Sequence, residues 1–116
     1  MEFDGNKPIY LQIADSFCER VLSGELKPED RIPSVREFGS EIGVNPNTVA
    51  RSYERLTELG VIYNRRGIGF FITPDAPGIV LSSEKKAFFD IELPAFRHRA
   101  ELLGISPDEL IKELTK

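Results

Sequence analysis

The sequence predicts a mostly α-helical protein with one small β-hairpin, and three observations support this fold class. Apolar residues recur at helical spacing in three segments, which end at Gly24, Gly43 and Gly60. Two short runs of aromatic and β-branched residues follow, separated by a glycine-bearing stretch. Residues 83–116 then carry two further helical patterns. A chain of 116 residues fits one compact domain, or a minimal domain with an appended oligomerisation element.

The first predicted helix covers residues 8–23. Its first position is a proline, and its apolar stripe recurs at a spacing of four, at Ile9, Ile13, Phe17 and Val21. Gly24 is typical of the left-handed residue that ends a helix. The single cysteine, Cys18, lies within this pattern, so we expect it to pack as a small hydrophobe. A redox or intermolecular role is the alternative.

The second and third predicted helices are separated by a tight turn. The run Ser34–Glu37 matches the capping box, so a short helix begins at Ser34 and stops at Gly43. Asn45 then caps a third helix, which Gly60 closes. Two helices joined by a three- or four-residue turn containing glycine are typical of a helix-turn-helix.

A predicted hairpin follows, with strands at residues 61–63 and 70–72. The residues of its basic tip that we single out are Arg65, Arg66, Gly67 and Gly69. The two glycines suit turn chemistry alone, but after a helix-turn-helix they also suit a wing that lies along DNA. We therefore predict that residues 1–74 form a winged helix-turn-helix DNA-binding domain.

Residues 75–82 are predicted to be a linker and residues 83–116 a helical dimerisation tail. Pro94 is expected to kink or split the first tail helix, and a second capping box starts another helix at Ser106. A tail this short cannot bury its large apolar residues alone, so we predict that it pairs with a second chain, with packing on the first helix as the alternative. The predicted dimer interface contains Phe88, Phe89, Ile91, Phe96 and Leu103.

Polar residues on the first half of the third helix are the candidate base contacts, because that part of a recognition helix reaches the major groove. They are Asn45, Asn47, Thr48 and Arg51. Asparagine can bond adenine through two atoms, and arginine can bond guanine likewise. In the alternative interpretation, Asn45 and Thr48 only cap the helix, while Arg51 pairs with Glu54 or Glu58.

Arg36 is a candidate phosphate contact, because it faces away from the apolar stripe of the second helix and lies near its amide-rich start. An ion pair with Glu41 is the alternative. The net charge of −4 argues against an indiscriminate nucleic-acid binder. Residues 31–74, however, hold six arginines against four glutamates, a local charge of +2. This split allows one basic face on an acidic protein.

No catalytic, metal or cofactor site is predicted. The only histidine, His98, stands between two arginines, and no cysteine or acidic cluster has the spacing of metal ligands. No segment approaches the length of an apolar membrane span, so we expect no membrane partner and a cytoplasmic location.

Three motifs resemble the GntR family of bacterial regulators over residues 8–73. In order along the chain they are IPSVREF, GVNPNTVARSYERLTELG and RRGIGFFI. The short tail is similar to that of the YtrA subfamily. The resemblance implies a repressor that binds an inverted repeat in double-stranded DNA as a homodimer.

Carried over to this sequence, the resemblance implies DNA contacts at Arg36, at Asn47, Thr48 and Arg51, and at Gly67 with its neighbours. Phe70 stands where threonine is common in the family, so the resemblance does not imply a hydroxyl contact to phosphate there. Larger subfamilies carry an effector-binding domain, some with a histidine metal site, and the short tail implies neither.

A winged-helix module that binds proteins rather than DNA is the alternative function, motivated by the acidic net charge. It predicts an apolar or acidic exposed face over residues 45–55. Arg51 and Arg55 count against it.

Overall fold

In a computed structural model that describes residues 1–116, the chain divides into two units, residues 1–81 and 82–116. The protein is mostly helical with one small antiparallel sheet, which confirms the predicted fold class. In chain order the elements are α1 (Ile9–Leu22), β1 (Arg31–Ile32), α2 (Val35–Ile42), α3 (Pro46–Glu58), β2 (Ile62–Arg65), β3 (Gly69–Ile72), α4 (Ala76–Ala87), a π-helical turn (Phe88–Glu92), α5 (Leu93–Leu102) and α6 (Pro107–Leu114). No helix has the length and apolar character needed to span a membrane.

The helix ends follow the capping chemistry of the sequence. The Ser34 hydroxyl accepts a hydrogen bond from the Glu37 amide at 3.1 Å, and the Glu37 carboxylate accepts one from the Ser34 amide at 3.2 Å. Gly43 ends α2 in the left-handed conformation, with φ of 68°. The Asn45 side chain accepts a bond from the Asn47 amide at 2.8 Å and so starts α3. The predicted helix-turn-helix is confirmed.

The sheet has three strands in the order β1, β3, β2, whereas the sequence analysis expected a two-stranded hairpin. Strand β1 pairs with β3 through Arg31 opposite Phe71 and Ile32 opposite Phe70. A strand of two residues is too short to show an alternating pattern. It exists because the long connector after α1 returns to β3, where the Ile72 amide donates to the Asp30 carbonyl at 2.9 Å.

The core of the first unit lies between α1, α3 and the sheet. Its fully buried side chains include Ile13, Phe17, Val49, Tyr53, Leu56, Ile62 and Ile72. The Tyr53 ring meets Phe17 edge-on, with centroids 5.7 Å apart, and its hydroxyl donates to the Pro33 carbonyl at 2.6 Å. Burial raises the pKa of Tyr53 far above its usual range. Cys18 is partly buried against this core, as its place in the helical pattern predicted.

The predicted linker at residues 75–82 is largely helical instead. Helix α4 begins at Ala76, and Ala76 and Val80 are both buried in the core of the first unit. Pro77 and Gly78, two residue types that disfavour a helix interior, lie in this segment. Pro77 lies in the first turn of α4, where a missing amide hydrogen costs nothing because that amide has no partner within the helix.

In the second unit, the expected interruption at Pro94 takes the form of a π-helical turn. The Leu93 amide donates to the Phe88 carbonyl five residues back, and Pro94 follows in the first turn of α5. The second predicted capping box is present, since the Ser106 hydroxyl accepts from the Glu109 amide at 3.3 Å and starts α6.

Candidate nucleic-acid interface

The first half of α3 presents the polar side chains that the sequence analysis selected. Asn47, Thr48 and Arg51 line one shallow groove together with residues 8–10 at the start of α1. Asn47 and Arg51 are exposed, and Thr48 is partly buried. These three side chains are therefore brought together on one surface of the helix-turn-helix.

Asn45 is used for capping, as the alternative interpretation proposed. Its side-chain oxygen is occupied by the Asn47 amide, which leaves the side-chain NH₂ group as its remaining polar function. The Thr48 hydroxyl, in contrast, forms no hydrogen bond within the chain. Thr48 therefore has its whole hydroxyl available to a ligand, whereas Asn45 has only its NH₂ group.

Arg51 forms no ion pair with Glu54 or Glu58. Its guanidinium carbon lies instead 4.0 Å from the centroid of the Tyr10 ring on α1. The next residue, Ser52, is fully buried, and its hydroxyl donates to the Tyr10 carbonyl at 2.7 Å. Two consecutive residues of α3 thus contact the same residue of α1.

Arg36 stands in the first turn of α2 and is exposed. It forms no ion pair, so the alternative pairing with Glu41 is not made. Its neighbour Glu37 is held in the capping box. Hydrogen bonds to its carboxylate from the Ser34 side chain and, second, from the Ser34 backbone amide lower the pKa of Glu37. The Arg36 guanidinium is consequently available to an anion from outside the chain.

The hairpin tip is a tight turn over residues 66–68, closed by a bond from the Ile68 amide to the Arg65 carbonyl at 2.8 Å. Gly67 has φ of 78°, a conformation that glycine adopts without strain. Arg65 lies over the Phe71 ring, 5.1 Å from its centroid. Arg66 is exposed and forms no ion pair. No hydrogen bond, ion pair or ring contact joins this tip to Arg36 or Arg51.

A further arginine, Arg31, lies beside Gly69 at the base of the hairpin. The φ of Gly69 is 144°, and a Cβ at this position would lie 3.0 Å from the Nε of Arg31. The sequence analysis did not select Arg31, because its place depends on the unpredicted pairing of β1 with β3. Tyr10 was not selected either, because its contact with Arg51 depends on the packing of α1 against α3.

Phe70 packs against the aromatic core of the first unit. Its ring meets Tyr53 edge-on, with centroids 5.0 Å apart. The departure from the threonine common at this position therefore extends the aromatic core toward the hairpin.

The family model described as "Bacterial regulatory proteins, gntR family" matches residues 9–72, from the start of α1 to the end of β3. The protein belongs to the GntR family. This GntR-family chain is 40% identical over 111 residues to the HTH-type transcriptional regulator YhcF of Bacillus subtilis, with 96% of this chain and 90% of YhcF covered. It is 45% identical to the HTH-type transcriptional repressor YtrA of the same organism, with 93% and 85% covered.

A solved structure of a GntR family transcriptional regulator from Listeria monocytogenes resembles this chain with a TM-score of 0.80 and 30% identity, over 97% of each chain. The family and these relatives show that this protein is a DNA-binding transcriptional regulator of the YtrA subfamily and not an enzyme. No group of three or more histidine, cysteine or acidic side chains is arranged to hold a metal ion.

The second unit of this GntR regulator exposes large apolar side chains. More than two-fifths of the surface is exposed at Phe88, Phe89, Ile91, Phe96 and Leu103, with Ile91 at 67%. Phe88, Leu93, Phe96 and Leu114 line a groove whose one charged member is Glu92. Exposed apolar surface on this scale is typical of an interaction site.

Proposed function

We propose that this GntR-family regulator is a repressor that binds an inverted-repeat operator as a homodimer. In this proposal residues 1–74 bind DNA and residues 83–116 pair two chains. The observation that carries it is the polar start of α3, where Asn47, Thr48 and Arg51 share one surface and none of them pairs with an acidic residue.

The polar groups divide by the kind of contact each can make. Asn47 and Arg51 present groups that can bond adenine and guanine edges, so they carry sequence readout. Arg36 and Arg66 are exposed cations without acidic partners, and they contact phosphates, which fixes the position of the protein without reading sequence. Gly67 and Gly69 let the hairpin backbone approach the duplex closely.

Homodimerisation is supported by the apolar surface of the second unit. A two-fold dimer buries the same patch on both chains, and aromatic side chains such as Phe88 and Phe96 are typical of the centre of such an interface. Two recognition helices related by that axis read half-sites that are one helical turn of DNA apart, or a multiple of it. The assignment as a repressor is supported by the YtrA relative of Bacillus subtilis, which is named a repressor.

Selection of bound duplexes from a random pool tests the proposal. The full-length protein is expected to enrich a pair of half-sites in inverted orientation, with a constant spacing between them. A pool without enrichment would contradict sequence-specific DNA binding and would favour a protein-binding module. Enrichment of a single, unpaired site would contradict the dimeric mode alone.

Sedimentation equilibrium tests the dimer independently of DNA. At micromolar concentration the protein is expected to sediment with twice the mass of one chain. A monomer under these conditions would contradict the proposed pairing.

Reporter expression from a promoter that carries the enriched site then distinguishes repression from activation.

A further inference from the structure

The contact between Tyr10 and Arg51 has a geometric property that matters for base readout. The guanidinium carbon lies 4.0 Å from the ring centroid, so the cation meets the face of the ring. A guanidinium carries its five N–H donors in its plane, around its edge. Contact through the face leaves those donors free, whereas an ion pair with a carboxylate would occupy them.

Acidic partners are close to Arg51 and are not used. Glu54 and Glu58 line the same groove as Tyr10 and Arg51, and neither is within ion-pair distance of the guanidinium. The arginine therefore rests on an aromatic ring although carboxylates of its own helix stand nearby. The guanidinium thus contacts the ring while its N–H donors have no partner within the chain.

The backbone of Tyr10 is tied to α3, and the segment before it is tied to α1. The buried Ser52 hydroxyl of α3 donates to the Tyr10 carbonyl at 2.7 Å. The side-chain amide of Gln12 donates to the Asp4 carbonyl at 2.6 Å and to the Lys7 carbonyl at 2.7 Å. These bonds tie the N-terminal segment to the first turn of α1. The backbone that carries the Tyr10 ring is thus anchored to α3.

We propose that Tyr10 is a positioning residue for sequence readout, which holds the Arg51 guanidinium in place with its donor edge free. The inference rests on the proposed function, in which Arg51 bonds a base. A flexible arginine loses rotamer freedom when it binds, and an arginine already held against a ring loses less. Tyr10 therefore raises the discrimination between the operator and other sequences, and it does so through Arg51.

A double-mutant cycle tests this role. Tyr10→Phe keeps the ring, and Tyr10→Leu removes it while keeping an apolar side chain. Both are made in the wild-type and the Arg51→Ala background, and affinities are measured for the duplex selected by the wild-type protein and for a scrambled duplex. The ratio of the two affinities is the readout. Partial unfolding lowers both affinities alike and leaves this ratio unchanged.

Tyr10→Leu is expected to lower the ratio about two- to fivefold, the size of an exposed cation–π contact, while Tyr10→Phe keeps it. In the Arg51→Ala background, Tyr10→Leu is expected to leave the ratio unchanged. A wild-type ratio for Tyr10→Leu, or an equal loss in both backgrounds, would overturn this inference alone. A wild-type ratio for Arg51→Ala would overturn the proposed base readout together with it.

Discussion

The turn of the helix-turn-helix brings Val44 against Gly39. A Cβ at residue 39 would lie 2.7 Å from the Val44 carbonyl oxygen, and the Val44 amide donates to the Gly39 carbonyl at 2.9 Å. Real Cβ atoms do not approach a backbone oxygen this closely, so only glycine permits the turn as it stands. The position of α3 relative to α2 depends on this contact.

Gly39→Ala is expected to lower the free energy of unfolding by about 1 to 3 kcal/mol, because the backbone of the turn must move to admit the methyl group. It is also expected to weaken binding to the selected duplex, since the start of α3 moves. Gly78→Ala is the matched control: no atom lies within 4 Å of its Cβ position in α4, and alanine should stabilise the helix by up to about 1 kcal/mol. Urea unfolding measures the free energy of unfolding of both variants. Equal changes for Gly39→Ala and Gly78→Ala would contradict the steric argument.

Arg51→Ala and Arg36→Ala are expected to differ in kind. Loss of Arg51 should cost about 1 to 3 kcal/mol on the selected duplex and relax sequence preference, because a base contact is removed. Loss of Arg36 should weaken binding to all duplexes alike and reduce the salt dependence by about one phosphate contact. Binding titrations at several salt concentrations separate the two. Equal losses on selected and scrambled DNA for both variants would contradict the assignment.

Phe70→Thr, which restores the residue common in the family, is expected to destabilise this protein. The change removes the edge-on contact with Tyr53 and the apolar surface that Phe70 partly buries, at a cost of about 1 to 3 kcal/mol. Ile68→Thr is the control, because Ile68 is 51% exposed at the hairpin tip and should change stability by no more than about 0.5 kcal/mol. Thermal unfolding compares the two variants, and a smaller effect for Phe70→Thr would contradict a packing role.

The capping box of α2 predicts a pH dependence of stability. Because the bonds with Ser34 lower the pKa of Glu37 from its ordinary value of 4.5, its stabilising contribution is present above pH 4.5 and is lost as the pH falls through the lower, folded-state pKa. Glu37→Gln can cap the helix but does not titrate. The stability difference between wild type and Glu37→Gln should therefore shrink in acid. Parallel pH curves in urea unfolding would contradict this.

Ser34→Ala provides a second check on the same box. The substitution removes the hydroxyl that accepts a hydrogen bond from the Glu37 amide. The same hydroxyl interacts with the Glu37 carboxylate. The pH dependence that Glu37 contributes should become smaller, and the loss of the cap should cost about 1 kcal/mol at neutral pH.

Phe96→Asp is expected to weaken the proposed dimer more than about tenfold, because it places a charge on the apolar surface of the second unit. Leu22→Asp, on the exposed side of α1, is the control: Leu22 is 45% exposed, comparable with 52% for Phe96. Sedimentation equilibrium measures the association of both variants. Equal weakening would show that the effect is one of general stability, and no weakening would place the interface elsewhere.

Local chemistry made much of this fold predictable from sequence. Ser34 and Asn45 bond the free amides of the turns that follow them, and Gly43 adopts a left-handed conformation at the end of α2, so each boundary depends on residues no more than a few positions apart. The candidate base contacts followed from the same boundaries, because they occupy the first half of a helix whose start was known.

Tertiary structure decided the features that depend on residues far apart in the chain. Strand β1 exists because Arg31 meets Phe71, and α4 replaces a linker because Ala76 and Val80 find a core to enter. The sequence alone identified Arg51 as a cation on the recognition helix and left open whether a carboxylate would neutralise it. Packing of α1 on α3 placed the Tyr10 ring beneath it, since only the folded chain brings these two residues within 4.0 Å.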